Sequence, residues 1–267
     1  VARICLCNRK IKACRFPVTG YIDHKVAIHY VDYGDDKPNH GWESSFLLGL
    51  LNSAVFEFLV SSMTAPSIVK YGLNTLADIP FPFSGFDTIQ TVEVEYAKQE
   101  SAGIIARFRR EGVQNGLILD RNPSRLVGLL VAVANWIECH TCDLISYIQK
   151  VCDGFKTPTN DGLKRRRAHQ NTSIFTLSYY LRTGGYPLRA AAMVAKLCLL
   201  LPKGVCHEAQ RNWHEACGTC AAMRKDIQIV QHLADVIVCV LYGIDPSEMK
   251  EIRDVISGTC TTPVYKG

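Results

Sequence analysis

Residues 42–83, WESSFLLGLLNSAVFEFLVSSMTAPSIVKYGLNTLADIPFPF, carry the pattern that decides the fold. Phe46, Leu47, Leu50, Leu51, Ala54, Val55, Phe58 and Leu59 recur at three- and four-residue steps, which lays apolar side chains along one face of a helix. The spacing predicts one buried helix. Beyond residue 60 the periodicity lapses and Tyr71-Gly72 breaks the chain. Ile79-Pro80-Phe81-Pro82 then lacks two backbone donors, which excludes a sheet interior and predicts an extended exit.

Downstream the helical pattern continues. Asp87 and Gln90 have the spacing of a capping box opening a helix that runs towards Gly112, with Ile89, Val92, Tyr96, Ile104, Ile105 and Phe108 on its buried side. Arg107, Arg109 and Arg110 suit the negative end of its dipole. Asn122-Pro123 is a strong start for a long helix reaching Gly154. Residues 156–173 are polar and read as a loop. Two shorter helices, 173–182 and 187–201, flank Thr183-Gly184-Gly185, and the helical spacing of Phe175, Tyr179, Tyr180 and Tyr186 favours core packing over base stacking. From 205 to 241 a seven-residue register through Trp213, Ala216, Cys220, Met223, Ile227, Val230, Ala234, Ile237 and Leu241 predicts a coiled-coil seam. Gly243 closes it, Asp245-Pro246-Ser247-Glu248 opens a last helix, and 258–267 reads as a frayed tail.

Upstream, residues 1–33 alternate weakly between apolar and polar side chains, with Pro17 and Gly20 as punctuation, which suggests short strands and hairpins; 33–41 is a turn-rich loop. The expected architecture is α+β and mostly helical. A small β-containing lobe, 1–86, precedes a helical lobe, 87–267, that ends in the long seam helix.

Composition bounds the function. The chain has 267 residues, 48% hydrophobic and 21% charged, with a net charge of +5, which fits a folded domain and not a disordered one. The apolar runs at 126–134 and 190–201 are too short or too interrupted to span a bilayer, so the expectation is a cytoplasmic protein with no membrane partner. Twelve cysteines are too dilute in this length for a disulfide scaffold. Cys152, Cys198 and Cys239 sit among apolar neighbours, where cysteine acts as a small hydrophobe.

Two positive clusters and two cysteine pairs are the candidate sites. Arg3, Arg9, Lys10, Lys12 and Arg15 precede the first acid, Asp23, and Lys164, Arg165, Arg166 and Arg167 are consecutive. Such clusters grip phosphates or decorate a solvated surface. Cys139 with Cys142 and Cys217 with Cys220 could hold structural zinc were their helices antiparallel neighbours; zinc pairs usually sit on turns, however, and both pairs fall in helical patterns, which favours core cysteines. No nucleophile motif, phosphate loop or dinucleotide fingerprint is present, so no residue is assigned a catalytic role.

The Leu-Leu-Gly-x-Leu-Asn-Ser helix at 47–53 and the Ile-Pro-x-Pro exit at 79–82 together resemble the C-terminal target-recognition region of N6-adenine DNA methyltransferases, including type IIG restriction enzymes. Residues 235–256, DVIVCVLYGIDPSEMKEIRDVI, are similar to the closing segment of the same enzymes. Type I specificity subunits look similar, but there is no repeat of the first lobe here. The resemblance implies sequence-specific binding of double-stranded DNA that positions an adenine methyltransferase. The methyltransferase domain, with its S-adenosylmethionine, is expected in the same polypeptide, N-terminal to this region. A helical module that dimerises through the seam is the alternative.

Overall fold

The apolar stretch of residues 46–59 forms two helices, not one, in the computed structural model, which describes residues 2–7, 10–15, 41–63, 79–111, 119–156 and 164–257. Helices α1 (Glu43–Leu51) and α2 (Ala54–Met63) are bent by 65° at Asn52-Ser53. Short polar side chains there compete for backbone groups. The Ser53 hydroxyl donates to Leu50 O at 2.7 Å and accepts from Phe56 N at 3.1 Å, which caps α2, while Asn52 Nδ2 donates to Leu48 O at 2.9 Å. Apolar periodicity runs through this break unaltered, so spacing alone cannot reveal it.

Strands β1 (Ala2–Cys7) and β2 (Lys10–Arg15) pair antiparallel, Ala2 opposite Arg15 and Cys7 opposite Lys10. From residue 41 onward about 83% of the described residues are helical and none lies in a strand. The expected α+β class is therefore corrected to an all-α fold carrying one hairpin. A two-stranded ribbon cannot build a core of its own, and the apolar surface needed for one is supplied by helices. The loop expected at 33–41, the break at Tyr71-Gly72 and the tail at 258–267 lie wholly or largely outside the described residues.

Compact packing divides the chain into two units, Val1–Trp136 with Ile229–Gly267, and Ile137–Gln228, whereas the sequence pattern placed a lobe boundary at 86. In the first unit, α3 (Thr91–Glu111) begins after a 3-10 turn, Phe86–Thr88, and not at a capping box: Gln90 N donates to the Ser124 hydroxyl at 2.9 Å. Its buried face is Val94, Ala97, Ser101, Ile105 and Phe108, while Val92 and Tyr96 are exposed. Ile89, Ile105 and Phe108 of the expected side are buried, but near the start of the helix Val94 and the small Ala97 and Ser101 turn inward in place of Val92 and Tyr96. A Cβ added to Gly128 of α4 (Pro123–Asp153) would lie 2.4 Å from Val94 O and 2.9 Å from Ala97 Cβ, so α3 turns its small residues towards a glycine. Gly49 of α1 meets α4 in the same way, at 2.9 Å from Leu130. Asn122 caps α4 as expected, its Oδ1 accepting from Ser124 N at 2.9 Å.

By length and composition α4 could cross a membrane, as the apolar run 126–134 within it could not alone, with mean hydropathy 1.2 over its best 18-residue window and 39% of that window buried. Leu126, Val127, Leu130 and Val133 of this helix are all in the core.

The second unit closes on its own cluster, in which Leu144, Ile148 and Phe155 meet Leu177, Leu181, Leu197, Trp213 and Cys220. Helix α5 (Lys164–Thr183) begins about nine residues before the helix expected at 173, within the stretch read as a loop. Lys and Arg are good helix formers, no Gly or Pro interrupts 164–183, and buried Gln170 ties the helix to Phe155 O at 2.7 Å. Helix α6 (Pro187–Cys198) follows, then α7 (Lys203–Leu241). The seven-residue seam of α7 is covered within the chain: Trp213, Ala216 and Cys220 are buried in the second unit, Val230, Ala234 and Ile237 in the first. Gly243 has φ 69, Asp245 accepts from Ser247 N at 2.8 Å, and α8 (Met249–Ser257) ends the described chain by packing on α2.

Gly128→Ala is expected to destabilise the protein by about 1–3 kcal/mol, because backbone must shift to admit the methyl group. Gly103→Ala on α3, where a Cβ meets nothing within 4 Å, should stabilise it by up to ~1 kcal/mol. Urea unfolding of the two variants and the parent checks both signs.

Candidate nucleic-acid interface

The two cation clusters fall in different units. Arg3, Lys10, Lys12 and Arg15 belong to the paired strands of the first, with Arg3 opposite Cys14, Lys12 opposite Cys5 and Lys10 opposite Cys7; Arg9 lies outside the described residues. Lys164, Arg165, Arg166 and Arg167 form the first turn of α5 in the second unit, a helical setting where a mobile loop was expected. Cation side chains that can be followed in the first unit are largely engaged by carboxylates. Arg125 reaches Glu93 at 2.7 Å and Asp120 at 3.1 Å, and Arg107 and Arg110 each reach Glu111 at 3.1 Å.

The two stretches that carry the family resemblance meet in the first unit. Asp235 Oδ1 accepts from Ala54 N at 2.8 Å, directly after the Asn52-Ser53 break. Gln231 Nε2 donates to Asn52 O at 3.2 Å, and Tyr242 Oη donates to Pro80 O at 3.1 Å, within the Ile-Pro-x-Pro exit. Phe81, Phe83 and Phe86 from that exit gather around Phe46 with ring centroids 5.5 to 6.0 Å away. Arg253 of α8 donates to Asp235 Oδ2 at 2.8 Å and also to His232 Nδ1. Burial pushes the Asp235 carboxyl up, opposed by the Ala54 amide and the Arg253 guanidinium. Burial, then the charge of Arg253, push His232 down to about 4. An imidazole nitrogen that accepts from arginine must be neutral, so geometry and direction agree. Sequence spacing gave no sign of this junction, because its partners are 181 residues apart.

The cysteine pairs do not assemble. Cys139, Cys142 and Cys217 are exposed, while Cys220 is buried in the core. Burial raises the Cys220 thiol and takes Cys152 up to about 11, and both thiols belong to the same buried cluster. Among the described residues the group of donors close enough for one metal ion is Cys139, His140 and Asp143, all within 4.8 Å of one another on α4. Their spacing, one and three residues along a helix, is visible in sequence, although the Cys-x-x-Cys pattern does not include Asp143. The aromatics of α5 and of the turn after it also depart from expectation: Phe175, Tyr179 and Tyr186 are exposed and only Tyr180 packs against the core. An available signal was residues 162–207, which hold no Asp or Glu.

Compared with family models, curated proteins and solved structures, the chain matches none.

A depressed folded-state pKa means that the stability His232 contributes is present above its usual 6.5 and is lost as pH falls towards about 4. Asp235, with a raised pKa, works in the opposite sense, since protonation on acidification relieves its burial. His232→Gln should therefore lose less stability than the parent between pH 6.5 and 4. The difference is on the order of 1 kcal/mol once solvent screening of this half-buried ring is allowed for, read from urea midpoints at a series of pH values.

Proposed function

We propose that this chain recognises double-stranded DNA in a sequence-specific manner and positions an adenine-N6 methyltransferase, in restriction-modification or phage defence. One observation carries the reading. The stretches that resemble the target-recognition region, 47–53 with 79–82 and 235–256, lie far apart in sequence yet pack together in one unit through Asp235, Gln231 and Tyr242. A fortuitous likeness in two unrelated segments carries no expectation that they touch. The methyl donor, S-adenosylmethionine, would be bound by a methyltransferase domain in the same polypeptide, and the present residues would act in the cytoplasm, away from membranes, with no catalytic group of their own. Arg3, Arg9, Lys10, Lys12 and Arg15, together with Lys164, Arg165, Arg166 and Arg167, would set register on phosphates, with base edges read by neighbouring side chains.

Dimerisation through the seam loses ground, since six of its nine residues are buried within the chain itself. Each phosphate contact releases counterions, so its removal should reduce the slope of log affinity against log salt by somewhat under ~1. Gln substitutions in each cluster, titrated against a mixed duplex over a salt series, are expected to flatten that slope. Parent-like affinity and slope in both sets would remove the clusters from the docking surface.

A further inference from the structure

Resting on the nucleic-acid reading above, we propose that the corner between α5 and α6 is a second contact surface, which stacks unpaired bases on Tyr179 and Tyr186 and holds their phosphates with Arg182 and Arg189. Arg182 lies over the Tyr179 ring at 5.8 Å and Arg189 over the Tyr186 ring at 5.1 Å, while Tyr180 links the two, 6.1 Å from Tyr179 and 5.9 Å from Tyr186. Tyr179 is 43% and Tyr186 58% exposed, so rings and guanidinium groups form one mixed surface in contact with water.

Three independent features fit that use. Tyr186 has φ 54 and is the one non-glycine with positive φ among the described residues; a tyrosine seldom adopts this backbone, and it is held here with its ring outward. The turn beneath it is built to be rigid: Gly184 has φ +72, a Cβ there would meet Arg224 at 2.8 Å, and Arg224 donates to Leu181 O at the end of α5. Charge fixes the class of occupant. Residues 170–207 contain four Lys or Arg and no Asp or Glu, and seven of the eleven exposed large apolar or aromatic side chains among the described residues lie between 175 and 205. A face of that sign repels a second copy of itself and attracts a polyanion. Bases in a duplex already cover each other's faces, whereas single-stranded bases offer theirs to aromatic rings, and arginine adds both phosphate contact and ring stacking.

The test compares labelled dT20 with an abasic 20-mer of equal charge by fluorescence anisotropy. The parent should bind dT20 about tenfold or more tightly than the abasic strand. Tyr179→Ala with Tyr186→Asn should bring the two affinities together; asparagine tolerates the left-handed backbone, and unchanged helical circular dichroism verifies the fold. Tyr186→Phe should keep the preference. Arg182→Gln with Arg189→Gln should weaken both ligands and reduce the salt slope by up to ~1.4. Equal binding of dT20 and the abasic strand by the parent, or a preference that survives loss of the rings, overturns the proposal. So does binding to phosphatidylglycerol vesicles that needs the same residues while dT20 does not bind. Mixed duplex is titrated in parallel: duplex binding without base preference sinks only this surface, and absence of both sinks the underlying reading too.

Discussion

One carboxylate ties the first unit together. Asp235 sits in the buried C-terminal part of α7 and answers two demands at once, accepting the Ala54 amide at the start of α2 and the guanidinium of Arg253 on α8. A buried charge survives only when its oxygens are satisfied, and here both are. Removing either partner would leave a carboxylate in an apolar interior, a cost of several times a typical hydrogen bond. The bend between α1 and α2 depends on the same atom. Were Asn52 and Ser53 followed by a straight helix, Ala54 N would bond within the helix and Asp235 would be left without it.

Much of the helical framework was legible because it follows from local chemistry. Asn122-Pro123 could be read as a cap since the capping bond spans two residues, and Thr183-Gly184-Gly185 as a break since glycine carries its own conformational signature. Failures arose where a distant group decides. The inward turn of Val94 and Ala97 on α3 is set by Gly128, whose lack of a side chain is uninformative until its neighbour is known. The bend at Asn52 is set in part from 181 residues away. Weak alternation over 33 residues suggests a layer, whereas a single ribbon accounts for the strands among the described residues.

The candidate surfaces divide along the same line. Charge clusters are visible in any sequence, but whether a tyrosine is core or surface depends on which side of α5 meets α6 and α7, and helical spacing cannot say which. Tyr180 went inward and Tyr179 outward although they are neighbours in sequence. The paired cysteines divide in the same way: helical spacing favours core positions for all four, yet only Cys220 is committed to the core, while Cys139, Cys142 and Cys217 are exposed.

The first unit is assembled from two pieces of chain separated by the whole of the second. On a ribosome the segment 137–228 is complete as soon as Gln228 emerges and can close its core at once from nearby contacts. Residues before 136 must meanwhile wait, their apolar faces without α7 and α8, until Asp235 and Arg253 have been made. Pairings of such long sequence separation are slow to form and expose sticky surface in the interval. Order of synthesis therefore makes the later, discontinuous unit the part most in need of a chaperone.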